Sequence, residues 1–320
     1  MDFEEFKTGK DDEGRRLDKV VRIFAPELPL NTIYKSLRKG LIKINGTKTR
    51  PEYKIQSDDV IQVAKVLLQG NLQEKQAVPV EKAFQDSPVL KMIVFENEHF
   101  LILNKPAGLN VHSSRKNQPS LEEYVTQYYK NTRNNTSLSF KPGPLHRIDR
   151  YTQGLVCFSM SIKGAQWFGK NMADHMIKKT YYAVVEGIVN QTETWNDMLE
   201  NTEEKGISRD FHKVKIAGDS APHIQQPQEK DKECITTITP VKTFKKDSLD
   251  LTYAQFNIET GRHHQIRAQS AFHGHPLHGD TAYGGHKTSD YDGEFFLFAA
   301  KIDFPQNDLG LPQTIEIKDI

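Results

Sequence analysis

Residues 67–88 interrupt this chain. Gly70, Asn71, several Gln and Lys residues, Pro79 and Pro88 follow one another there without apolar periodicity. A stretch with no apolar face has nothing to contribute to a core, so it reads as a linker. The break predicts two folding units, residues 1–66 and residues 89–320, and 320 residues are enough for both. A composition of 37% hydrophobic and 27% charged residues suits a globular protein, and no apolar run reaches the length that spans a bilayer. Met1-Asp2-Phe3-Glu4-Glu5 is acidic and lacks the basic and apolar regions of a signal peptide. Cys157 and Cys234 stand far apart in no metal-type spacing, as expected of reduced thiols in a cytoplasmic protein.

The net charge of +1 conceals an uneven distribution. Between Arg15 and Lys54 there are 11 Lys or Arg against 3 Asp or Glu. Such a block is the footprint of a nucleic-acid contact; the plainer reading is a solvated basic face. Leu17, Val20, Val21 and Phe24 recur at helical spacing. Asn31 or Thr32 would cap a second helix carrying Ile33, Tyr34 and Leu37 and ending at Gly40. Leu41 to Ile44 reads as a strand, Asn45-Gly46 as a tight turn, and Asp59 to Val63 as another strand.

Beyond residue 89, Met92 to Phe95 and Phe100 to Leu103 read as short buried strands. Asn104 to Gly108 reads as a turn with no chemistry of its own. Ser120 and Glu123 fit a capping box before Tyr124, Val125 and Tyr128. Ala165, Phe168, Met172 and Met176 share a helical spacing, while Tyr181 to Val185 and Leu251 to Ile258 are rich in strand formers. Thr202 to Lys232 reads as a long polar surface loop. Helices and strands without regular alternation predict an α+β fold.

The sharpest chemical signal is His146-Arg147-Ile148-Asp149-Arg150, completed by Thr152 and Gly154. A carboxylate between two arginines is favoured in its ionised form, which suits a nucleophile or base. Taken alone, such an Asp is more often a structural ion pair. His263, His264, His273, His275, His278 and His286 crowd one region. They lack the H-E-x-x-H spacing, and neighbouring histidines on a strand would face opposite sides, so no metal site is expected.

Several segments resemble motifs of the RluA-type RNA pseudouridine synthases. Asn104-Lys105-Pro106-Ala107-Gly108 with Val111-His112 is similar to the N-K-P-x-G-x-x-V-H motif of that family. His146 to Gly154 resembles H-R-L-D-R-x-T-x-G, with Ile148 and Gln153 departing from the usual Leu and Ser. Lys179 to Gly187 resembles K-x-Y-x-A-x-V-x-G. Thr260 to Arg267 resembles T-G-R-x-H-Q-I-R, followed by Gly279-Asp280 and Tyr283. Their order along one domain outweighs the ion-pair reading of Asp149. Arg16-Leu17-Asp18, Arg38-Lys39-Gly40, Lys43 to Gly46 and Asp58 to Ile61 resemble the alpha-L RNA-binding module.

The resemblance implies a pseudouridine-synthase fold, a mixed and mostly antiparallel sheet with a central cleft, preceded by a small α/β RNA-binding module. It implies isomerisation of uridine in RNA, most simply ribosomal RNA of the large subunit, by a monomer without cofactor or metal. Asp149 would be the catalytic aspartate, Tyr181 the aromatic stacking on the base, and Arg267 the partner of Asp149. Ile266 would line the pocket and Arg147 would help extrude the base, with Arg15, Arg16, Lys35, Arg38 and Lys39 on the RNA-binding face. Two other readings stay open on the residues: a non-catalytic RNA-binding or ribosome-assembly protein, and a metal-dependent hydrolase using the histidines.

Overall fold

A computed structural model of the chain describes residues 1–68, 88–113, 119–133, 137–200, 215–216, 232–291 and 294–318. Most of the expected linker and most of the expected polar loop lie outside them. By internal contact the chain forms two compact units. One gathers Met1–Lys91, Glu123–Gly143 and Ser159–Gln166, the other Met92–Glu122, Pro144–Phe158 and Trp167–Ile320. The first unit therefore takes in segments beyond the expected module.

In the first unit, α1 (Leu17–Phe24) and α2 (Leu30–Lys39) lie with a three-stranded antiparallel sheet. Its order is β1 (Phe3–Lys7), β3 (Val60–Ala64), β2 (Ile42–Ile44). The helices form because their apolar residues repeat on one face. Leu17, Val20, Val21, Ile33 and Leu37 meet Ile42, Ile44, Ile61 and Val63 in one core. Gly40 ends α2 in a left-handed conformation, as its position predicts. The start differs from expectation: Pro29 is the N-cap, its carbonyl accepting from the amides of Thr32 and Ile33, so Asn31 and Thr32 lie inside the first turn. Strand β1 was not legible, because its apolar residues are few and it is an edge strand of the sheet. Buried Asp12 accepts from Ser137 and Ser139 and from the amides of Gly9, Leu138 and Ser139. That explains why residues 137–143 belong to this unit.

The second unit is built on an 11-stranded mixed, mostly antiparallel sheet. Its path runs β10 (Lys215–Ile216), β9 (Glu193–Glu200), β11 (Lys232–Lys246), β12 (Leu249–Ile258), β8 (Lys178–Glu186), β13 (Leu297–Asp303), β7 (Gln153–Ser159), β5 (Phe100–Lys105), with β6 (Gly143–Pro144) beside β7 and β14 (Thr314–Glu316) beside β13. β13 pairs antiparallel with β8 and parallel with β7. On one side of this region Phe100, Ile102, Leu155, Cys157, Ile177 and Ile302 pack with Phe168 of α4 (Ile162–Ala173). Met176, expected on that helix, follows it at 53% exposure, beyond His175 in a left-handed turn. β4 (Ile93–Glu96) ends the sheet, so Val94 is 39% exposed where a buried strand was expected. Helix α3 (Leu121–Thr132) begins directly after Ser120. Helix α5 (Gln265–Phe272) carries Ile266 and Arg267.

Candidate active site

Asp149 sits on the loop that enters β7. The loop is held by main-chain and side-chain hydrogen bonds to the turn at Lys105–Gly108. The Gly108 amide donates to the Arg150 carbonyl at 2.9 Å, and Arg150 Nε donates to the Gly108 carbonyl at 2.9 Å. Lys105 is fully buried, and its Nζ donates to the carbonyls of Pro106, Leu109 and Arg150, each at 2.9 Å. Burial pulls its ammonium down to about 7, with Asp149 acting in the opposite direction. The turn that sequence reading left without chemistry is thus a brace for the Asp149 loop.

A row of three residues across the sheet brings Tyr181 to the same place. Gly154 is opposite Ala299 in the parallel β7–β13 pair, and Ala299 is opposite Tyr181 in the β13–β8 pair. Gly154 has φ of +106°, and a side chain there would collide with the Ala299 backbone. Only glycine permits this approach. Tyr181 is 6% exposed, and burial followed by the charge of Asp149 pushes its phenol up.

α5 supplies the cation. Arg267 Nη1 lies 3.6 Å from Asp149 Oδ2. Its Nε and Nη2 donate to Asp280 Oδ2 and Oδ1 at 2.7 and 2.9 Å, and Asp280 is fully buried. The guanidinium also lies 4.9 Å from the Tyr283 ring centre and 4.5 Å from that of Phe295. A planar guanidinium held by a bidentate carboxylate and two ring faces has little freedom to turn.

His264 completes this side. Its Nε2 is 3.7 Å from Asp149 Oδ2, and its Nδ1 lies 2.9 Å from the Tyr283 hydroxyl. Burial, then Arg267, His263 and Arg147, pulls its pKa down to about 2, so the ring is neutral. His263 and His264 do not face opposite sides as a strand would require. His264 is left-handed, with φ of 52°, and the two rings stack with centres 3.8 Å apart. Asp149, His263 and His264 therefore offer ligand atoms within 4.8 Å of one another. Arg267 and Arg147 make the same place electropositive, which opposes a metal cation.

Two cavities meet at Asp149. The larger, about 520 Å³, is lined by Asp149, Tyr181, Arg147, Lys179 and His146 among others. The smaller, about 50 Å³, is lined by Asp149, Tyr181, Arg147, Ile266, Arg267 and His264 among others. Five expected site residues, Asp149, Tyr181, Arg267, Arg147 and Ile266, are thus brought together. The expected RNA-binding residues belong to the other unit. There Lys35, Arg38 and Lys39 are exposed along α2. Arg15 instead donates to the Ser139 carbonyl and hydroxyl, and Arg16 is paired with Asp18 and Glu52. Both guanidinium groups already serve the unit's own structure. Sequence reading gave no role to Asp280, Tyr283, Lys105 or Lys179, although each stood inside a quoted motif, and weighed His264 only within the histidine cluster.

The model of the RNA pseudouridylate synthase family matches residues 99–272, more than half of the chain. Over 301 residues the chain is 28% identical to a ribosomal large subunit pseudouridine synthase C of Vibrio cholerae, covering 92% of this chain and 86% of that one. It is 29% identical over 274 residues to the protein of the same name from Buchnera aphidicola, covering 85% and 78%. Among solved structures it is similar to human RNA pseudouridylate synthase domain containing 1, with a TM-score of 0.53, 20% identity, and 71% and 81% of the two chains covered. That structural likeness bears on the fold alone, while the family match runs from β5 to α5 and takes in the Asp149, Tyr181 and Arg267 segments; the chain belongs to the RNA pseudouridylate synthase family.

Proposed function

We propose that the protein converts uridine to pseudouridine in ribosomal RNA of the large subunit, acting as a cytoplasmic monomer, with Asp149 as the catalytic group. The supporting observation is Asp149 on the wall of a 520 Å³ cavity that Tyr181 also lines, with the Arg267 guanidinium 3.6 Å from its carboxylate. A uridine must leave its stack to be reached, and an aromatic platform with a cation beside it offsets part of that cost. Tyr181 would carry the base, Arg147 would assist its extrusion, and Ile266 would close the apolar side.

The reaction is an isomerisation. The bond between N1 and the ribose C1′ breaks, the uracil turns, and C5 bonds to C1′. The proton lost from C5 is balanced by one gained at N1. Asp149 would act at C1′ or on a ribose proton, while Arg267, clamped by Asp280, keeps its carboxylate aimed. The first 66 residues would anchor the RNA through Lys35, Arg38 and Lys39, whose charges are exposed.

The Asp149→Asn variant tests this reading. Its shape is kept and its charge removed, so pseudouridine formation in RNA falls below detection while RNA affinity at the same salt is held or slightly raised. Near wild-type isomerisation, with deamidation to Asp excluded, would remove Asp149 from the mechanism. RNA binding without any isomerisation by the wild-type protein would favour the non-catalytic reading.

A further inference from the structure

The larger cavity beside Asp149 has a wall that the uridine chemistry does not use. Lys179 lies on β8 two residues before Tyr181, so both side chains leave the same face of the sheet. Both line the 520 Å³ cavity with Asp149. Lys179 is only 8% exposed, and it makes no hydrogen bond or ion pair among the described residues. Its Nζ lies at the Gly261 wall: a Cβ placed on Gly261 would stand 3.2 Å from it. An ammonium carries three donors and a full charge, and burial without a partner is costly. Burial accordingly pulls the Lys179 pKa down, with Cys157 acting the other way.

A second residue of this wall, His146, is held by the sheet behind it. The Cys157 amide donates to His146 Nε2 at 3.1 Å. Burial, then the charge of Lys179, pulls His146 down to about 3, so its ring is neutral and the proton resides on Nδ1. That Nδ1 is buried and has no hydrogen-bond partner among the described residues. Arg147, Arg262, His175 and His263 also line the cavity, against the carboxylates of Asp149 and Glu259. The ligand that suits an unpaired ammonium on a cavity wall is an acceptor bearing negative charge. A uracil carbonyl is neutral and leaves the buried charge uncompensated; a phosphodiester oxygen compensates it.

We propose that Lys179 binds a phosphate oxygen of the target strand inside this cavity. The proposal rests on the reading of the cavity as the place where the target nucleotide sits. Lys179 would then fix which way the strand runs past Asp149.

The test needs no turnover. Uridine, uridine 3′-monophosphate and uridine 5′-monophosphate are titrated separately into the full-length protein, with binding followed by NMR. One monophosphate is expected to bind roughly ten-fold more tightly than uridine, as a charge-assisted hydrogen bond would give. Lys179→Met should reduce that monophosphate to the level of uridine and leave uridine itself unchanged; Lys179→Arg should restore most of the preference. A packing role for Lys179 would weaken all three ligands alike, and that outcome overturns the proposal. So does equal binding of all three ligands to the wild-type protein, a comparison that stands even where the Met variant does not fold. Active Asp149→Asn protein would refute the catalytic reading, whereas loss of the phosphate preference would not follow from it.

Discussion

Asp280→Asn is the most informative single change, because Asp280 touches Arg267 and not the cavity. The two Arg267–Asp280 hydrogen bonds, at 2.7 and 2.9 Å, join fully buried Asp280 to an arginine 3% exposed. Removing one member of such a pair costs about 3–5 kcal/mol when nothing replaces it. Asn keeps the volume and one acceptor but turns an NH₂ towards a guanidinium N–H, so a loss of about 2–4 kcal/mol follows. For a chain of this size that corresponds to a melting temperature lower by roughly 5–10 °C. The guanidinium is also released from the side that orients it, and Asp149 lies only 3.6 Å away. A displacement of about 1 Å at a reacting group costs on the order of 100-fold. Pseudouridine formation is measured at a temperature well below both melting points, with kcat and KM separated. The expected result is a fall of ten- to 100-fold in kcat at nearly unchanged KM. A variant that melts with the wild type would show that the pair does not anchor α5. A variant that melts earlier but turns over normally would show that Asp280 stabilises the fold without aiming Arg267.

Three further outcomes are expected. The Tyr181 hydroxyl makes no hydrogen bond among the described residues, so Tyr181→Phe should keep RNA turnover, while Tyr181→Ala should lose about 1–3 kcal/mol in kcat/KM; equal activity of Ala and wild type would make Tyr181 a packing residue. Gly154→Ala places a methyl against the Ala299 backbone at a φ of +106° and should destabilise by about 3 kcal/mol or more, read by urea unfolding, with an unchanged midpoint refuting the close-approach reading. Replacing Lys35, Arg38 and Lys39 together by Ala should lower the slope of log affinity against log salt by roughly 2–3 for RNA. An unchanged slope would show that this exposed face of α2 does not meet phosphate.

What the sequence disclosed follows the range over which its signals act. β8, β12, α1 and most of α2 were legible because their apolar periodicity is local. The Asp149, Tyr181 and Arg267 positions were legible through motifs, each short enough to be read in one place. Asp280 was not, since its meaning depends on a turn that returns 13 residues later to α5. Lys105 and Lys179 stood in motifs without an assigned role, and lysine usually lies at the surface. Their burial is decided by the strands and loops that close around them, which no neighbouring residue announces. For Arg15 and Arg16 a basic block signals charge, but not that Ser139, Asp18 and Glu52 also engage it. His263 and His264 were misplaced by assuming a strand where the backbone turns left-handed.

The brace between Lys105, Gly108 and Arg150 has a consequence for which uridines are chosen. Asp149 stands on a loop tied to β5 before any RNA arrives, and the cavity beside it is already open. A stiff receptor transfers the work of deformation to its ligand. The uridine must be unstacked and unpaired to enter, at a few kcal/mol for a nucleotide in a regular helix and least for one already looped out. At 1.36 kcal/mol per decade of rate, that difference alone separates helical from looped uridines by roughly a hundred-fold or more. Selection among sites is then written in the local pliability of the RNA, at positions that no side chain of the protein needs to touch.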